Sequence, residues 1–258
     1  CATAKAKATR GQGGGEGNRD MEYKYTGIIL NKKDIGETDR IYSFYTLEQG
    51  KISAIARGVR KAQSKLAGHL ENFYLIDLTV MKNKGLGNIA SSIVENNFKN
   101  LRSNLSCLEK VFKVTRTLNR LINDQEKDAD VFFLFLDYLN SLDKMNDNTN
   151  EIQINLITQG FIFKFLDALG YKIEINRCVK CGGKLSKNRN FFDCNCGGAV
   201  CEACGSNAGN ILPISNNSIK IIRIFFQNKI GNLSKLKINH KESKELSHIS
   251  RTFIKWIC

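Results

Sequence analysis

Six of the nine cysteines in the chain fall between residues 178 and 204, and their spacing is typical of a metal site. Cys178 and Cys181 form one C-x-x-C pair, Cys201 and Cys204 form another, and 19 residues separate the pairs. Each pair can hold a metal ion from a tight turn, and this loop length is typical of four-coordinate zinc. We therefore predict one structural Zn²⁺ ion bound by these four thiolates. Four protein ligands leave no position for a substrate, so we expect the ion to stabilise a loop.

The two remaining cysteines of this segment, Cys194 and Cys196, form a C-x-C, which holds a metal ion less comfortably. Gly197 and Gly198 already provide the turn into the second pair, so we leave these cysteines out of the ligand set. Ligand sets that include Cys194 or Cys196, and a redox or disulfide cluster, remain alternatives. We find no apolar segment of the secretory type, so we expect the reducing cytoplasm and free thiols.

A second kind of metal chemistry deserves comparison. The H-x-E at His69–Glu71, taken with a C-x-x-C, has the residue types of a zinc nucleobase deaminase. Here Val200 precedes Cys201 where those enzymes have proline, and about 130 residues separate the two halves. We therefore interpret His69 as an ordinary polar residue that enters a strand.

Positions 51–65 contain several basic residues and no acidic residue. The run begins in a predicted strand, which ends at Arg57–Gly58, and continues into the long loop that follows. It comprises Lys51, Arg57, Arg60, Lys61 and Lys65. Cations at irregular spacing on a loop can follow a phosphate backbone without reading bases, so we predict that these five side chains bind DNA. Five contacts to a single strand imply a salt slope of about −3.5, or roughly a hundredfold loss of affinity between 50 and 200 mM salt.

Aromatic residues on the neighbouring strands could offer stacking surfaces for unpaired bases. They are Tyr42, Phe44, Tyr45, Phe73 and Tyr74. We expect at least three of these five rings to belong to the hydrophobic core instead.

The net charge of +14 is unevenly distributed along the chain. Residues 21–100 carry +4 (twelve basic, eight acidic), residues 101–176 carry −2 (nine, eleven) and residues 177–258 carry +10 (fourteen, four). Two basic ends around a slightly acidic middle favour a polyanion as the partner of the ends. The sequence contains no Walker A lysine, no G-x-S-x-G and no catalytic carboxylate cluster, so we expect a binding protein and not an enzyme.

The hydrophobic pattern divides the chain into a strand-rich and a helix-rich part. From Tyr23 to about Asn97 apolar residues recur with a period of two, as in "FYLIDLTV", where Tyr74, Ile76, Leu78 and Val80 share one face. Five short strands with a long loop after the third predict a small β-barrel. No apolar run approaches the roughly 20 residues of a membrane helix.

From residue 101 the period becomes helical, and we predict that one face of the first helix is buried. That face comprises Leu101, Leu105, Leu108, Phe112, Thr115, Leu118 and Ile122. Asp128 should cap a second helix and Gly170 should end a third. We predict an α+β protein with three parts: a leader at 1–20 outside the fold, a barrel domain at 21–98, and a helical bundle at 99–258 with an inserted Cys₄ zinc finger at 178–204.

Three motifs closely resemble the RecO family of bacterial recombination mediators and DNA repair proteins. They are the G-E-T-D-R of Gly36–Arg40, the A-R-G-x-R-K of Ala56–Lys61, and the L-G-Y that precedes the first C-x-x-C. The resemblance extends over residues 21–255, and the family usually continues the helix that ends here at Trp256, so we expect a truncated carboxyl end.

The resemblance implies an OB-fold followed by a helical domain with a Cys₄ zinc site, whose ligands fall on the four cysteines above. It implies binding to single- and double-stranded DNA, strand annealing, and partnership with RecR at the nucleoid. It also implies contact with the acidic carboxyl-terminal tail of the single-strand binding protein, for which Arg223, Lys229 and Lys255 are candidate contacts. The alternatives are a zinc-containing RNA-binding or RNA-processing protein and a transcription- or ribosome-associated module.

Overall fold

The computed structural model describes residues 21–82, 85–145, 149–205 and 211–257. Five strands come first: β1 (Met21–Ile35), β2 (Asp39–Thr46), β3 (Gly50–Ala56), β4 (Leu75–Lys82) and β5 (Gly87–Asn96). They close into a barrel in the order β1-β2-β3-β5-β4, in which β1 pairs with both β2 and β4. This order, with a long connection between β3 and β4, confirms the predicted OB-type barrel. The predicted leader at residues 1–20 lies outside the described residues.

The barrel is filled from alternate positions of its strands. Ile76, Leu78 and Val80 of β4 are buried inside it, as the period of two predicts. On β2, Tyr42 and Phe44 point into the same interior, whereas Tyr45 lies in the core of the helical part, 6.3 Å from the ring of Phe132. The carboxyl-terminal end of β2 is therefore buried on both faces, because helices cover the outer face of the barrel there.

Seven α-helices and one 3₁₀-helix follow in the described part of the chain. They are α1 (Lys99–Ser103), α2 (Leu105–Leu121), α3 (Ala129–Asp143), α4 (Glu151–Ala168), α5 (Glu202–Gly205), α6 (Asn216–Gln227), the 3₁₀-helix (Ile230–Lys235) and α7 (His240–Ile257). Helix α4 is the centre of the bundle and contacts α2, α3, α6 and α7. Its buried residues occupy every side of the helix, as expected for a helix surrounded by protein.

The predicted helix ends are confirmed at two positions. Asp128 caps α3, since its carboxylate accepts a hydrogen bond from the Val131 amide at 3.0 Å. Gly170 follows the C-cap of α4 with φ +89°, donates to the Asp167 carbonyl, and allows the amide of Tyr171 to bond the carbonyl of Leu166. These two hydrogen bonds form a Schellman motif, in which glycine is favoured because φ is positive.

The predicted buried face of the first helix was wrong in part. Asn104 adopts an extended conformation that separates α1 from α2, and its side chain caps α2 by accepting from the Cys107 amide. The helix is consequently rotated relative to the prediction, and Leu105 and Phe112 are 80% and 41% exposed. The buried residues of α2 are Cys107, Val111, Val114, Thr115 and Leu118.

The cysteine segment forms a small module on the bundle. Its strands β6 (Asn190–Asp193), β7 (Gly198–Cys201) and β8 (Ile211–Ile214) make an antiparallel sheet in the order β7-β6-β8. Phe192 on β6 packs edge-on against Phe253 of α7, with ring centroids 5.6 Å apart. The module thus shares the core of the bundle. Within the described ranges, no helix combines the length and the apolarity needed to cross a membrane.

Candidate metal centre and nucleic-acid interface

The structure brings the four cysteines of the two C-x-x-C pairs to one point. Their Sγ atoms all lie within 4.8 Å of one another, and those of Cys181 and Cys201 are 3.8 Å apart. A tetrahedral ion with metal–sulfur bonds of about 2.3 Å has sulfur–sulfur edges of about 3.8 Å. The arrangement of Cys178, Cys181, Cys201 and Cys204 therefore fits one four-coordinate metal ion.

Backbone hydrogen bonds shape both turns that carry the thiols. The Cys178 amide donates to the Gly183 carbonyl at 2.9 Å, and the Gly182 amide donates to the Cys178 carbonyl at 2.8 Å. Gly182 has φ +70°, a backbone conformation that residues other than glycine rarely adopt. The second pair begins at the end of β7, and a hydrogen bond from the Val179 amide to the Ala199 carbonyl joins the two turns.

The protonation of the cluster suits a metal ligand set. Burial alone would raise the pKa of the Cys178 thiol, but hydrogen bonds from the backbone at Cys201 and Cys181 lower it to about 6. For Cys204 the neighbouring side chains of Cys181 and Cys201 raise the pKa to about 12. Cys178 thus favours the thiolate and Cys204 the thiol, and a bound cation would displace the proton of Cys204, because metal ligation requires thiolates.

Cys194 and Cys196 lie outside this group. Cys194 is buried in the core of the bundle, and burial raises the pKa of its thiol. Cys196 is exposed as a residue, and partial desolvation of its thiol together with the negative charge of Asp193 raises the pKa of that thiol. Neither sulfur belongs to the group of four that lies within 4.8 Å, so the geometry leaves both cysteines out of the ligand set.

The structure also separates His69 from the cysteines. Its Nδ1 atom lies 2.8 Å from the carbonyl oxygen of Ser92 on β5, within the barrel. A deaminase needs the H-x-E and the C-x-x-C at one metal site. Here the four cysteines form a group of their own and His69 contacts Ser92 instead, so the structure does not form such a site.

Four of the five predicted DNA-binding residues lie together on the long loop after β3. Arg57, Arg60, Lys61 and Lys65 are all exposed. The side chains of Lys61 and Lys65 form no ion pair with any described residue. The loop therefore presents a cluster of solvent-facing positive charge at one end of the barrel.

The two motifs on the barrel, G-E-T-D-R and A-R-G-x-R-K, meet at the base of this loop. The carboxylate of Asp39 accepts hydrogen bonds from the Gly58 amide at 2.7 Å and from the Thr38 hydroxyl at 2.9 Å. These bonds, the first above all, lower the pKa of Asp39, and the charge of Arg57 contributes in the same direction. The amide of Arg60 donates to the Thr38 carbonyl. The acidic residue thus fixes the start of the basic loop, a role that its position in the sequence does not reveal.

Lys51 is separate from the other four cations because it lies at the opposite end of β3. Its ammonium group donates to the carbonyls of Asn119 and Ile122 at 3.2 and 2.9 Å, and it pairs with Asp124 at 3.1 Å. Its side chain is only 18% exposed. Lys51 therefore holds the end of α2 against the barrel, and we remove it from the predicted DNA contacts.

The aromatic residues offer little stacking surface. Tyr42, Phe44, Tyr45 and Phe73 are at most 1% exposed, so the expectation that at least three belong to the core is confirmed. Tyr74 is partly exposed, and the guanidinium of Arg102 covers its ring at 4.5 Å. The four buried rings are therefore inaccessible to unpaired bases.

A basic groove that the sequence did not predict runs between α2, α4 and α7. It has a volume of about 390 Å³, an apolar floor of Val114, Ile162 and Ile254, and cations along its rim. The cations are Lys110, Lys113, Arg116, Arg120, Arg251 and Lys255. Two helices that lie far apart in the sequence contribute them, so no single stretch of sequence shows the cluster. Of the candidate tail contacts, only Lys255 lines this groove.

Comparisons with known proteins cover most of the chain. The family model "Recombination protein O N terminal" matches residues 21–98, and "Recombination protein O C terminal" matches residues 112–257. The DNA repair protein RecO of Dehalococcoides mccartyi strain 195 is 33% identical over 92% of this chain and 90% of its own length. RecO proteins of Roseiflexus sp. strain RS-1 and Thermoanaerobacter sp. strain X514 are 28% and 23% identical, over 93% and 90% of this chain and 82% and 91% of their own lengths.

The arrangement of the elements agrees with these matches. A five-stranded barrel precedes a helical bundle, and the bundle carries a four-cysteine cluster that could hold a metal ion. The chain therefore belongs to the recombination protein O family and functions in DNA repair and recombination.

Proposed function

We propose that this chain is a recombination mediator that binds single- and double-stranded DNA and anneals complementary strands. With RecR, at the nucleoid in the cytoplasm, it helps replace single-strand binding protein by recombinase. The observation that carries this proposal is the cluster of exposed cations on the barrel loop in a member of a DNA repair family. The proposed action is physical and not covalent, because cations that screen phosphate repulsion allow two strands to approach.

The proposed DNA contacts are Arg57, Arg60, Lys61 and Lys65. Phosphates are common to single and double strands, so contacts of this type support binding to both without base specificity. Four contacts to a single strand predict a salt slope of about −2.8, or roughly a fiftyfold loss of affinity between 50 and 200 mM salt.

We propose that the ion held by Cys178, Cys181, Cys201 and Cys204 is Zn²⁺ and that it is structural. The sulfur geometry suits zinc, and four thiolates leave no open coordination position. Its contribution would be to hold the small sheet of the module in shape, and the module in turn packs against α7.

The groove between α2, α4 and α7 is the proposed site for the acidic tail of the single-strand binding protein. Its cationic rim and apolar floor suit a peptide that carries carboxylates beside hydrophobic side chains. Arg116 and Arg251 form no ion pair with any described residue, so their charge is available to a ligand. Binding of the tail in this groove would weaken the hold of the single-strand binding protein on DNA, while the cations of the barrel loop screen the repulsion between the phosphates of the two strands.

Annealing of complementary oligonucleotides, bare and coated with single-strand binding protein, tests these roles separately. A variant with Arg57, Arg60, Lys61 and Lys65 changed to Ala should lose annealing on both substrates. A variant with Arg116→Ala and Arg251→Ala should lose annealing on coated strands only, and the exposed Lys229→Ala should behave as wild type.

Retained annealing by the quadruple variant, with its fold intact by circular dichroism, would contradict the barrel assignment. The same assay with RNA of equal length as a competitor distinguishes the RNA-binding alternative. Preferential displacement by RNA would favour that alternative, because an RNA-binding protein can contact the 2′-hydroxyl.

A further inference from the structure

A third cationic surface lies between the cysteine module and α6, remote in sequence from the barrel loop and separate from the groove between α2, α4 and α7. It is a cleft of about 410 Å³. Lys184 and Lys187 lie on the module side, and Lys220 and Arg223 lie on α6. None of the described residues that line the cleft is acidic. The strong positive charge of residues 177–258 is therefore partly concentrated in one place.

The two sides of the cleft are fastened to each other by a buried amide. Asn190, which is 2% exposed, accepts from the Ser186 amide at 2.8 Å and donates to the Ser186 carbonyl at 2.7 Å. It also donates to the Asn216 side chain at 2.8 Å, and Asn216 donates to the Lys187 carbonyl at 2.6 Å. The lysine-bearing loop is thus fixed to the first turn of α6, which holds the cations in one arrangement.

The cations of the cleft are available to a ligand. The side chains of Lys184, Lys187 and Lys220 are exposed and form no ion pair with any described residue. Lys180 differs, because its ammonium group pairs with the buried carboxylate of Asp193 at 3.0 Å. Arg223 is held through Nε and Nη2 by the Ile175 carbonyl at 3.2 and 2.8 Å, which fixes its guanidinium at the edge of the cleft.

We propose that this cleft is a second binding site for the phosphate backbone of nucleic acid, separate from the barrel loop. The inference rests on the proposed function, since it assumes a protein that binds DNA. Lys220 and Arg223 are three residues apart on α6, so their Cβ atoms lie on the same side of the helix, about 5–6 Å apart. With Lys184 and Lys187 on the facing loop, they form a row of charge that suits a chain of phosphates better than a single anion.

The cleft lacks the features of other anionic partners. A membrane-binding surface requires exposed large apolar side chains, whereas Leu185 is only partly exposed here and Ile219 is buried. No aromatic ring lines the cleft among the described residues, so bases have no stacking platform and recognition is independent of sequence. Two backbone-binding surfaces on one chain would let a single molecule contact two strands, which is what annealing requires.

Binding of a fluorescent 30-nucleotide oligo(dT), followed by anisotropy between 50 and 200 mM salt, tests the inference. The variant changes Lys184, Lys187 and Lys220 to Gln. The control changes Lys235, Lys237 and Lys241 to Gln, which removes the same charge from exposed lysines that do not line the cleft. Loss of three single-strand contacts should make the salt slope shallower by about 2, and the control should keep the wild-type slope.

The outcomes separate the inference from the proposed function. Over this salt range wild type should lose about twentyfold more affinity than the cleft variant. If the cleft variant and the control have equal slopes while the quadruple barrel variant fails to bind, the cleft proposal is wrong and the proposed function stands. If wild type fails to bind oligo(dT), both are wrong. Metal content and thermal unfolding equal to wild type establish that the cleft variant is folded.

Discussion

Replacing Lys51 by methionine distinguishes a residue that joins two parts of the protein from one that binds DNA. The ammonium group of Lys51 on β3 donates to the carbonyls of Asn119 and Ile122 at the end of α2. These carbonyls have no partner within their helix, and they carry the negative end of the helix dipole. Methionine keeps the length and the apolar stem of the side chain and removes its charge and donors.

The loss of stability can be estimated from these contacts. Hydrogen bonds from a charged donor contribute about 1.5–3 kcal/mol and the helix dipole adds about 0.3–1 kcal/mol. The ion pair with Asp124 adds roughly 0–1 kcal/mol, because that carboxylate is 77% exposed. Since the freed carbonyls regain some contact with water, we expect Lys51→Met to lower the free energy of unfolding by about 2–3 kcal/mol. For a chain of this size the melting temperature should fall by roughly 5–10 °C.

The assay pairs thermal unfolding with the salt dependence of oligo(dT) binding, and Lys61→Met is the matched control. Lys51→Met should lower the melting temperature and leave the salt slope unchanged. Lys61→Met should leave the melting temperature unchanged and make the slope shallower by about 0.7, the value for one phosphate contact on a single strand. A shallower slope with normal stability for Lys51→Met would refute the assignment of this lysine to the junction between barrel and bundle.

Two other positions on the barrel give sharp predictions. Gly50→Ala should lower the free energy of unfolding in urea by more than about 1 kcal/mol, because φ is +69° and the new Cβ would collide with the Glu126 carbonyl; Gly36→Ala, with open space around it, should cost less. Asp39→Asn should destabilise the protein at pH 7, since hydrogen bonds from Gly58 and Thr38 lower the pKa of Asp39. The stabilisation is present above the unfolded pKa of about 3.9 and is lost as the pH falls through the lower folded pKa, so the urea midpoints of wild type and variant should converge in acid. A gap that stays constant with pH would contradict this assignment.

Local signals in the sequence predicted the elements that depend on local chemistry. The cap at Asp128, the glycine at Gly170 and the alternation in β4 each depend on a few neighbouring residues, and each agrees with the structure. The proximity of the two C-x-x-C pairs could also be predicted, because their spacing is typical of a tetrahedral four-cysteine site. Asn104 is a local signal that the predicted helix from residue 101 ignored, since its side chain caps α2 and separates it from α1.

Features that depend on contacts between distant parts of the chain could not be predicted. The alternation of β2 does not indicate that helices cover its outer face and bury Tyr45 against Phe132. The partners of Lys51 are backbone carbonyls, which carry no signal in the side-chain sequence. The groove and the cleft likewise gather cations from separate elements, and only the folded bundle brings these together.

The two proposed DNA-binding surfaces have different internal supports, and this makes them separable by experiment. The barrel loop is fixed by the carboxylate of Asp39, which involves no metal. Lys184 and Lys187 follow directly after the first cysteine turn, which supplies two of the four thiolates to the proposed ion. Removal of the ion by a chelator should therefore release these two lysines while the barrel contacts persist.

The expected result is a salt slope for oligo(dT) binding that becomes shallower by about 1.4, the share of two contacts on a single strand. Cys201→Ser should reproduce this change together with loss of bound metal, whereas Cys194→Ser should keep both metal and slope, because its thiol lies outside the cluster. Metal loss from both variants would overturn the choice of ligands. Metal loss with an unchanged slope would instead show that the module contributes nothing to the binding of DNA.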